Sequence, residues 1–406
     1  MKIFDIPEYY RSSIISRIKK YRQLNDPRKK DFSPTALEFP PFRFLIARHF
    51  GFCYGVENAI DIAYKTVEKN SGKKIFLLSE IIHNPLVNLD LQSKGVQFIM
   101  DTYGNQLIDW DDINCDDIVI IPAFGTTLEI EKLLKEKNID TLSCNTTCPF
   151  VEKVWNRAKS LGEDNSTIII HGKANHEETR ATFSHSIPNA PSLIVRNIEE
   201  VKFLSKIILD EIEGNEFYKY FEGKYSEGFN INNSLHRVGV VNQTTMLAGE
   251  TQMIADYLRE TMIKKFGYEN IKEHFVDTRD TLCYATNDNQ SATTELMKDN
   301  ADLAIVIGGY NSSNTAHLVE LLEEKFTTYF IADAAKIING VLINNYDIHS
   351  HKEIVTDNYL PEKDNITIAI TSGASCPDAV VNEVLLKLLS FSNIGDIEVV
   401  LKSMGI

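Results

Sequence analysis

Thr167-Ile168-Ile169-Ile170-His171-Gly172-Lys173-Ala174-Asn175-His176-Glu177-Glu178-Thr179 is the stretch whose reading decides the fold. Its continuous apolar run, without polar alternation, predicts a strand from Thr167 to His171 covered on both faces, as strands of parallel sheets are. The polar loop that follows sits where ligands gather in open α/β sheets, beyond the carboxyl end of a strand. The pattern recurs. Apolar runs at Phe42 to Arg48, Lys74 to Leu78, Ile118 to Pro122, Leu193 to Arg196, Arg237 to Val241, Ala304 to Ile307, Thr328 to Ile331 and Ile366 to Thr371 predict further strands. Helical patterns, such as Val56 to Lys69, Ala316 to Glu323 and Ala379 to Leu389, fall between them. The class is α/β.

A chain of 406 residues suggests two or three domains. Residues 1–41 read as an N-terminal arm and linker, rich in Lys and Arg up to Lys30 and closed by Pro40-Pro41, with a short amphipathic helix from Ser12 to Leu24. A plastid transit peptide is the alternative for this arm, weakened by Asp5, Glu8 and Asp26. Three α/β modules are expected to follow, at 42–145, 146–281 and 282–406, the last ending in a C-terminal tail. Residues 202–235, with Tyr218, Tyr220, Phe221 and Tyr225 among Gly and Asn, show little periodicity and read as an excursion in the second module.

Charge narrows the function. Lys and Arg number 42 against 57 Asp and Glu, a net of -15 that would repel nucleic acid and anionic membrane surfaces. No run approaches the roughly 18 apolar residues of a membrane span, and no secretory signal opens the chain. The expectation is a soluble, cytoplasmic protein, with the plastid stroma as the other compartment. In such a reducing place the six cysteines are free thiols or ligands.

Three cysteines share a setting. Each follows a polar or glycine-rich loop and precedes a helical pattern: Gly51-Phe52-Cys53-Tyr54-Gly55, Asn145-Thr146-Thr147-Cys148-Pro149 and Asp280-Thr281-Leu282-Cys283-Tyr284. At Cys148 the threonines can cap and Pro149 suits a first helical turn. A cysteine there feels the positive end of the helix dipole and should ionise more easily. The separations are far from the tight C-x-x-C runs of ferredoxins, so spacing alone favours buried core thiols over a metal site. If three thiolates do converge on a four-iron cluster, one iron is left open as a Lewis acid. Cys144 is either a fourth ligand or the end of a strand from Asp140, the latter preferred, and Cys115 and Cys376 read as small apolar residues.

Loops after the other strands carry polar groups: Ser79 to Pro85 with His83, Gly308 to Thr315 with Ser312, Ser313 and Asn314, and Thr371 to Asp378 with Ser375. The last two have the anatomy of a phosphate site, with glycines, hydroxyls and a helix N-terminus, although plain helix capping selects the same residues. His83 and His176 can face an anion, or be buried structural histidines. Glu178 is a candidate proton donor, or a solvated carboxylate at a helix start. Thr244, in Gln243-Thr244-Thr245 after the Arg237 to Val241 run, adds a hydroxyl.

Taken in order, Gly51-Phe52-Cys53-Tyr54-Gly55-Val56, His83-Asn84, Thr147-Cys148-Pro149, His176-Glu177-Glu178, Asn242-Gln243-Thr244-Thr245, Cys283-Tyr284-Ala285-Thr286, Asn311-Ser312-Ser313-Asn314 and Gly373-Ala374-Ser375 resemble the signature segments of the 4-hydroxy-3-methylbut-2-enyl diphosphate reductase (LytB) family. Eight co-linear motifs are far more specific than any one of them. The resemblance implies a trefoil of three α/β modules around one 4Fe-4S cluster, held by Cys53, Cys148 and Cys283 with the fourth iron open. It implies a diphosphate cradle of His83, His176, Ser312, Ser313, Asn314 and Ser375, with Thr244 near the substrate hydroxyl and Glu178 delivering protons. The implied reaction is reductive dehydroxylation of the allylic diphosphate to isopentenyl and dimethylallyl diphosphate, with ferredoxin or flavodoxin as electron donor.

One position departs from many bacterial members: Ala123-Phe124-Gly125 carries Phe124 where they have a histidine, as is usual in the longer cyanobacterial and plant branch, which the arm and the excursion also resemble. Two other readings remain: an iron-sulfur hydro-lyase, which needs no external electrons, and a module that binds a phosphorylated metabolite without catalysis.

Overall fold

The computed structural model describes residues 4–141, 143–277, 281–392, 397–403 and 405–406. It divides into two compact units, one of Met1–Glu57, His83–Leu86 and Tyr284–Ile406, the other of Asn58–Ile82 and Val87–Cys283.

The first unit is built on a five-stranded sheet in the order Thr35–Phe39, Phe42–Ile46, Ile366–Ser372, Leu303–Ile307, Thr328–Ile331. Thr35–Phe39 is antiparallel to its neighbour and the rest are parallel. Leu303–Ile307 shows why its run is unbroken. Leu303, Ile305 and Ile307 enter one core with Phe44, Ile368 and Val384, while Ala304 and Val306 enter a second with Leu318, Leu322 and Phe330. Both faces are covered, so neither tolerates polar residues.

The first strand of the expected 42–145 module, Phe42–Ile46, pairs with Ile366–Ser372 and so lies in the sheet of the third. Residues 1–41 are likewise more than an arm and linker. Thr35–Phe39 is the sheet's edge strand, and Ser13–Asn25 is a helix that buries Ile14, Ile15 and Ile18 in the core with Phe39 and Leu385. Each such isoleucine contributes about 1.5–3 kcal/mol of burial, enough to fix the segment in place. A hairpin of Leu342–Asp347 and Lys352–Asp357 completes the unit; sequence reasoning passes over it because its second strand is almost wholly exposed and carries no apolar pattern.

The second unit holds two parallel sheets. Three strands run in the order Val96–Phe98, Ile75–Leu77, Ile118–Ile120. Four run in the order Ser192–Val195, Thr167–His171, Val238–Asn242, Phe275–Val276. Thr167–His171 has the expected bounds and the expected double burial: Ile169 packs with Leu193 and Leu204, Ile168 and Ile170 with Val154 and Leu161.

The stretch 202–235 is not an irregular excursion. It contains the end of helix Ile198–Ile208 and the short helices Asn215–Tyr220 and Ile231–Ser234. Phe217 and Phe221 are fully buried, and Phe217 stacks on Phe229 with ring centroids 5.0 Å apart. Its stability comes from a knot of aromatic rings, a burial mode that leaves no helical stripe in the sequence. The expected strand at Asp140 to Cys144 includes Leu142, which lies outside the described residues. Ser143 and Cys144 form a turn, and only Asn145 bridges to Ile121. Among the described residues no helix is long and apolar enough to cross a membrane.

Candidate functional site

Each of the three cysteines singled out by sequence stands one residue before a helix: Cys53 before Tyr54–Lys69, Cys148 before Pro149–Glu163, Cys283 before Tyr284–Leu296. The backbone fixes two of them further. The Cys53 N–H donates to Ala374 O at 3.2 Å, and the Cys148 N–H donates to Ala123 O at 2.9 Å. Asp280, the first residue of the third segment, lies outside the described residues.

At Cys148 the expected capping and easy ionisation are not found. No side chain caps this helix; the Thr146 hydroxyl donates to Ile121 O instead. Burial pushes the Cys148 thiol up to about 11, helped by the neighbouring Cys283 and Glu178, whose negative charges oppose a thiolate. The Phe150 and Val151 N–H groups of the helix start favour the thiolate, but desolvation is the larger effect. This donor set fits a cationic cluster: a buried thiol whose ionisation is opposed by neighbouring negative charge gives up its proton when a positive ion takes its place. Among the described residues no three His, Cys, Asp or Glu side chains gather as ligands for a single ion. Cys144 is buried with its sulfur 3.8 Å from Thr66 Oγ1.

Glu178 lies in the same unit as Cys148 and Cys283, and it is one of the most buried carboxylates of the chain, 1% exposed. The duller account of it, a solvated group at a helix start, therefore fails. Its Oε1 accepts the Thr244 backbone N–H and its Oε2 accepts the Thr244 hydroxyl at 2.9 Å. His176 is the residue before helix Glu177–Ser186, and its Nδ1 accepts the Glu178 N–H at 3.2 Å. The neutral imidazole consequently carries its proton on Nε2.

Behind these groups Gln243 organises the loop. Its Oε1 accepts from Lys173 N–H at 3.1 Å and from the Thr179 hydroxyl at 2.9 Å, while its Nε2 donates to Thr245 Oγ1 at 2.8 Å. Gly172 is needed here, since a Cβ on it would stand 2.6 Å from Thr179 Oγ1. Sequence reasoning gave Gln243 no role and missed Asn242, whose Oδ1 accepts the Thr281 hydroxyl and so ties the Cys283 loop to the end of Val238–Asn242.

The remaining candidates fall in the other unit. Ser312 caps helix Ser313–Glu323, accepting from the Thr315 N–H at 3.3 Å and the Thr315 hydroxyl at 2.9 Å. The Ser375 hydroxyl donates to His83 O at 3.0 Å. Asn314 Oδ1 accepts from the Ala374 N–H at 3.0 Å and from Asn289 Nδ2 at 3.5 Å. Asn314 Nδ2 is buried and has no partner. A buried amide left without an acceptor costs about 1–3 kcal/mol, and beside a helix N-terminus an anionic oxygen is its natural complement. Ser313 is buried in the same helix start. Asn289 was not anticipated; its only sign in the sequence is a polar residue on the buried side of a helix.

The chain matches the family model described as LytB protein over residues 44–389. Relatives with the name 4-hydroxy-3-methylbut-2-enyl diphosphate reductase include those of Gloeobacter violaceus, 39% identical over 86% of this chain and 83% of the relative, and of Thermosynechococcus vestitus, 41% identical over 87% of this chain and 85% of the relative. Two solved structures share the fold. The (E)-1-hydroxy-2-methyl-but-2-enyl-4-diphosphate reductase of Plasmodium falciparum superposes with a TM-score of 0.62 at 22% identity, covering 91% of this chain and 99% of that one. A second, described as the terminal enzyme of the non-mevalonate pathway, gives 0.51 at 24% identity, covering 86% and 99%.

Proposed function

This chain belongs to the LytB protein family, and from that membership we propose that it reduces (E)-4-hydroxy-3-methylbut-2-enyl diphosphate to isopentenyl and dimethylallyl diphosphate. In that reaction two electrons and two protons enter, the allylic C–O bond breaks, a C–H bond forms and water leaves.

The observation that carries the reading is the arrangement of Glu178: a buried carboxylate held on both oxygens by Thr244 and close enough to Cys148 to oppose its ionisation. A proton source belongs beside the place where an oxygen departs and a carbanion-like carbon is quenched. Cys53, Cys148 and Cys283 would hold a 4Fe-4S cluster with an open fourth iron. When bound, such a cluster would supply the electron path and the Lewis acidity that weakens the C–O bond.

The chain's own residues do the rest. Asn314 Nδ2 and the helix start at Ser312 and Ser313 present donors to the diphosphate, with His83 and Ser375 on two further loops joined by a hydrogen bond. We read His176, through its Nε2–H, as a diphosphate ligand too. Thr244, bonded to Glu178 through its hydroxyl, is placed to pass a proton between the carboxylate and the substrate oxygen, and Glu178 then delivers one to the allylic carbon. Electrons would come from ferredoxin or flavodoxin. Six free cysteines suit the reducing compartment, cytoplasmic or plastid-stromal, that such a cluster needs.

The test is anaerobic purification with iron and sulfide analysis, a visible spectrum and turnover with a reduced viologen, repeated for Cys53→Ser, Cys148→Ser and Cys283→Ser, with Cys115→Ser as control. The reading expects a brown protein with about four irons, bleached by the first three changes and not by the fourth. Turnover without reductant would favour a hydro-lyase, and a colourless, iron-free protein after reconstitution would leave only a phosphate-binding module.

A further inference from the structure

The phenyl ring of Phe124 meets the imidazole of His176 edge to face, with centroids 5.7 Å apart and planes at 85°. We propose that Phe124 is a positioning residue, which sets the orientation of the His176 imidazole and through it the affinity for the diphosphate group.

The argument starts from the imidazole. Nδ1 accepts the Glu178 N–H in only one of its two ring orientations; turned over, the ring would set a carbon against that donor and aim Nε2–H elsewhere. That hydrogen bond is a long one, at 3.2 Å. An edge-to-face ring pair adds about 0.5–1.5 kcal/mol of orientation preference, and Phe124 is the ring that supplies it.

Phe124 is itself rigidly held. Its neighbour Gly125 has φ +76°, and a Cβ there would stand 2.5 Å from the Trp155 ring. Trp155 stacks on His185 at 3.7 Å and donates through Nε1 to Thr182 Oγ1 at 3.2 Å, both residues of the helix that begins after His176. On the other side of Phe124, Ala123 O accepts the Cys148 N–H. One short loop thus fixes the backbone of a cysteine and, through Phe124, the ring of a histidine.

This inference rests on the reading of His176 as a diphosphate ligand, so the experiment separates the two. Binding of inorganic pyrophosphate to the iron-loaded protein is measured by calorimetry for Phe124→Leu, Phe124→Ala, Phe124→Tyr, His176→Ala and the double variant of Phe124→Leu with His176→Ala. Phe124→Leu keeps the volume and loses the ring, and it should weaken binding by about three- to tenfold with iron content unchanged, as should Phe124→Ala. Phe124→Tyr should bind as the parent does, and Phe124→Leu should add nothing once His176 is gone.

Parent-like binding in Phe124→Leu, or an undiminished further loss on top of His176→Ala, overturns the proposal. So does loss of iron together with binding in both Phe124→Leu and Phe124→Ala, because a collapsed loop would then be the cause. Unchanged binding in His176→Ala would instead sink the reading of His176, and this inference with it.

Discussion

Thr244 engages both oxygens of Glu178, its backbone N–H on one and its hydroxyl on the other. A rigid amide and a rotatable hydroxyl therefore hold the same carboxylate, and only the hydroxyl can reverse its role from donor to acceptor. That asymmetry is what the proposed proton relay requires of the pair.

Glu178→Gln tests it. The carboxamide oxygen can still accept the Thr244 N–H, and the new NH2 can donate to the hydroxyl once that group turns round, so the fold should stand. What is lost is the exchangeable proton. Turnover should fall by about 10²- to 10⁴-fold, with iron content and pyrophosphate affinity near those of the parent. A steady-state kcat close to normal would remove Glu178 as the proton source.

Cys148 gives a pH dependence with a definite sign. Its folded thiol is pushed up to about 11 in the metal-free chain, while an unfolded cysteine titrates near 8.5. The folded state holds this proton more tightly, so the contribution to stability is fully present below about pH 8.5 and is lost as pH climbs towards 11. At pH 8 only about one thiol in a thousand is the reactive thiolate. In the apo chain, Cys148 should therefore alkylate far more slowly than exposed Cys115 at pH 8, accelerating steeply with pH. Peptide mapping by mass spectrometry reads both sites. Equal rates at pH 8 would contradict the buried, protonated thiol.

What could be read in the sequence follows from how each part is stabilised. Strands buried on both faces, such as Thr167–His171 and Thr328–Ile331, announce themselves as apolar runs with sharp ends. The hairpin at Leu342–Asp347 and Lys352–Asp357 does not, since backbone pairing sustains a second strand whose side chains face water, and the first sends only Ile343 into the main core. The candidate site residues came from local motifs, yet their chemistry lies in contacts of long range: Thr244 with Glu178 across 66 residues, and Phe124 with His176. No periodicity reports such pairs, and the burial that overrides the helix dipole at Cys148 is equally invisible until the chain is folded.

The N-terminal segment supplies a stability test. Ile15 is fully buried in the core that also holds Phe39 and Leu385. If residues 1–41 were a dispensable arm, Ile15→Ala would leave the melting temperature alone. The packing predicts a loss of about 2–5 kcal/mol, visible as a lowered Tm in anaerobic calorimetry. Arg17→Ala should cost far less, because its ion pair with Glu398 at 2.8 Å is solvent-exposed.

Asn314→Asp separates a capping role from an anion-binding one. The Asn314 Oδ1 that accepts from Ala374 and Asn289 survives the change, so the loop should keep its form. The unpartnered Nδ2 becomes a carboxylate oxygen, replacing a waiting donor by a negative charge in a buried place. If Asn314 only shapes the loop, KM and pyrophosphate affinity should barely move. If Nδ2 meets the diphosphate, repulsion now replaces a charge-assisted bond, and KM should rise by about tenfold or more while iron content stays constant. Raised KM with kcat little changed is the expected result; an unaltered KM would return Asn314 to the role of a helix-start residue.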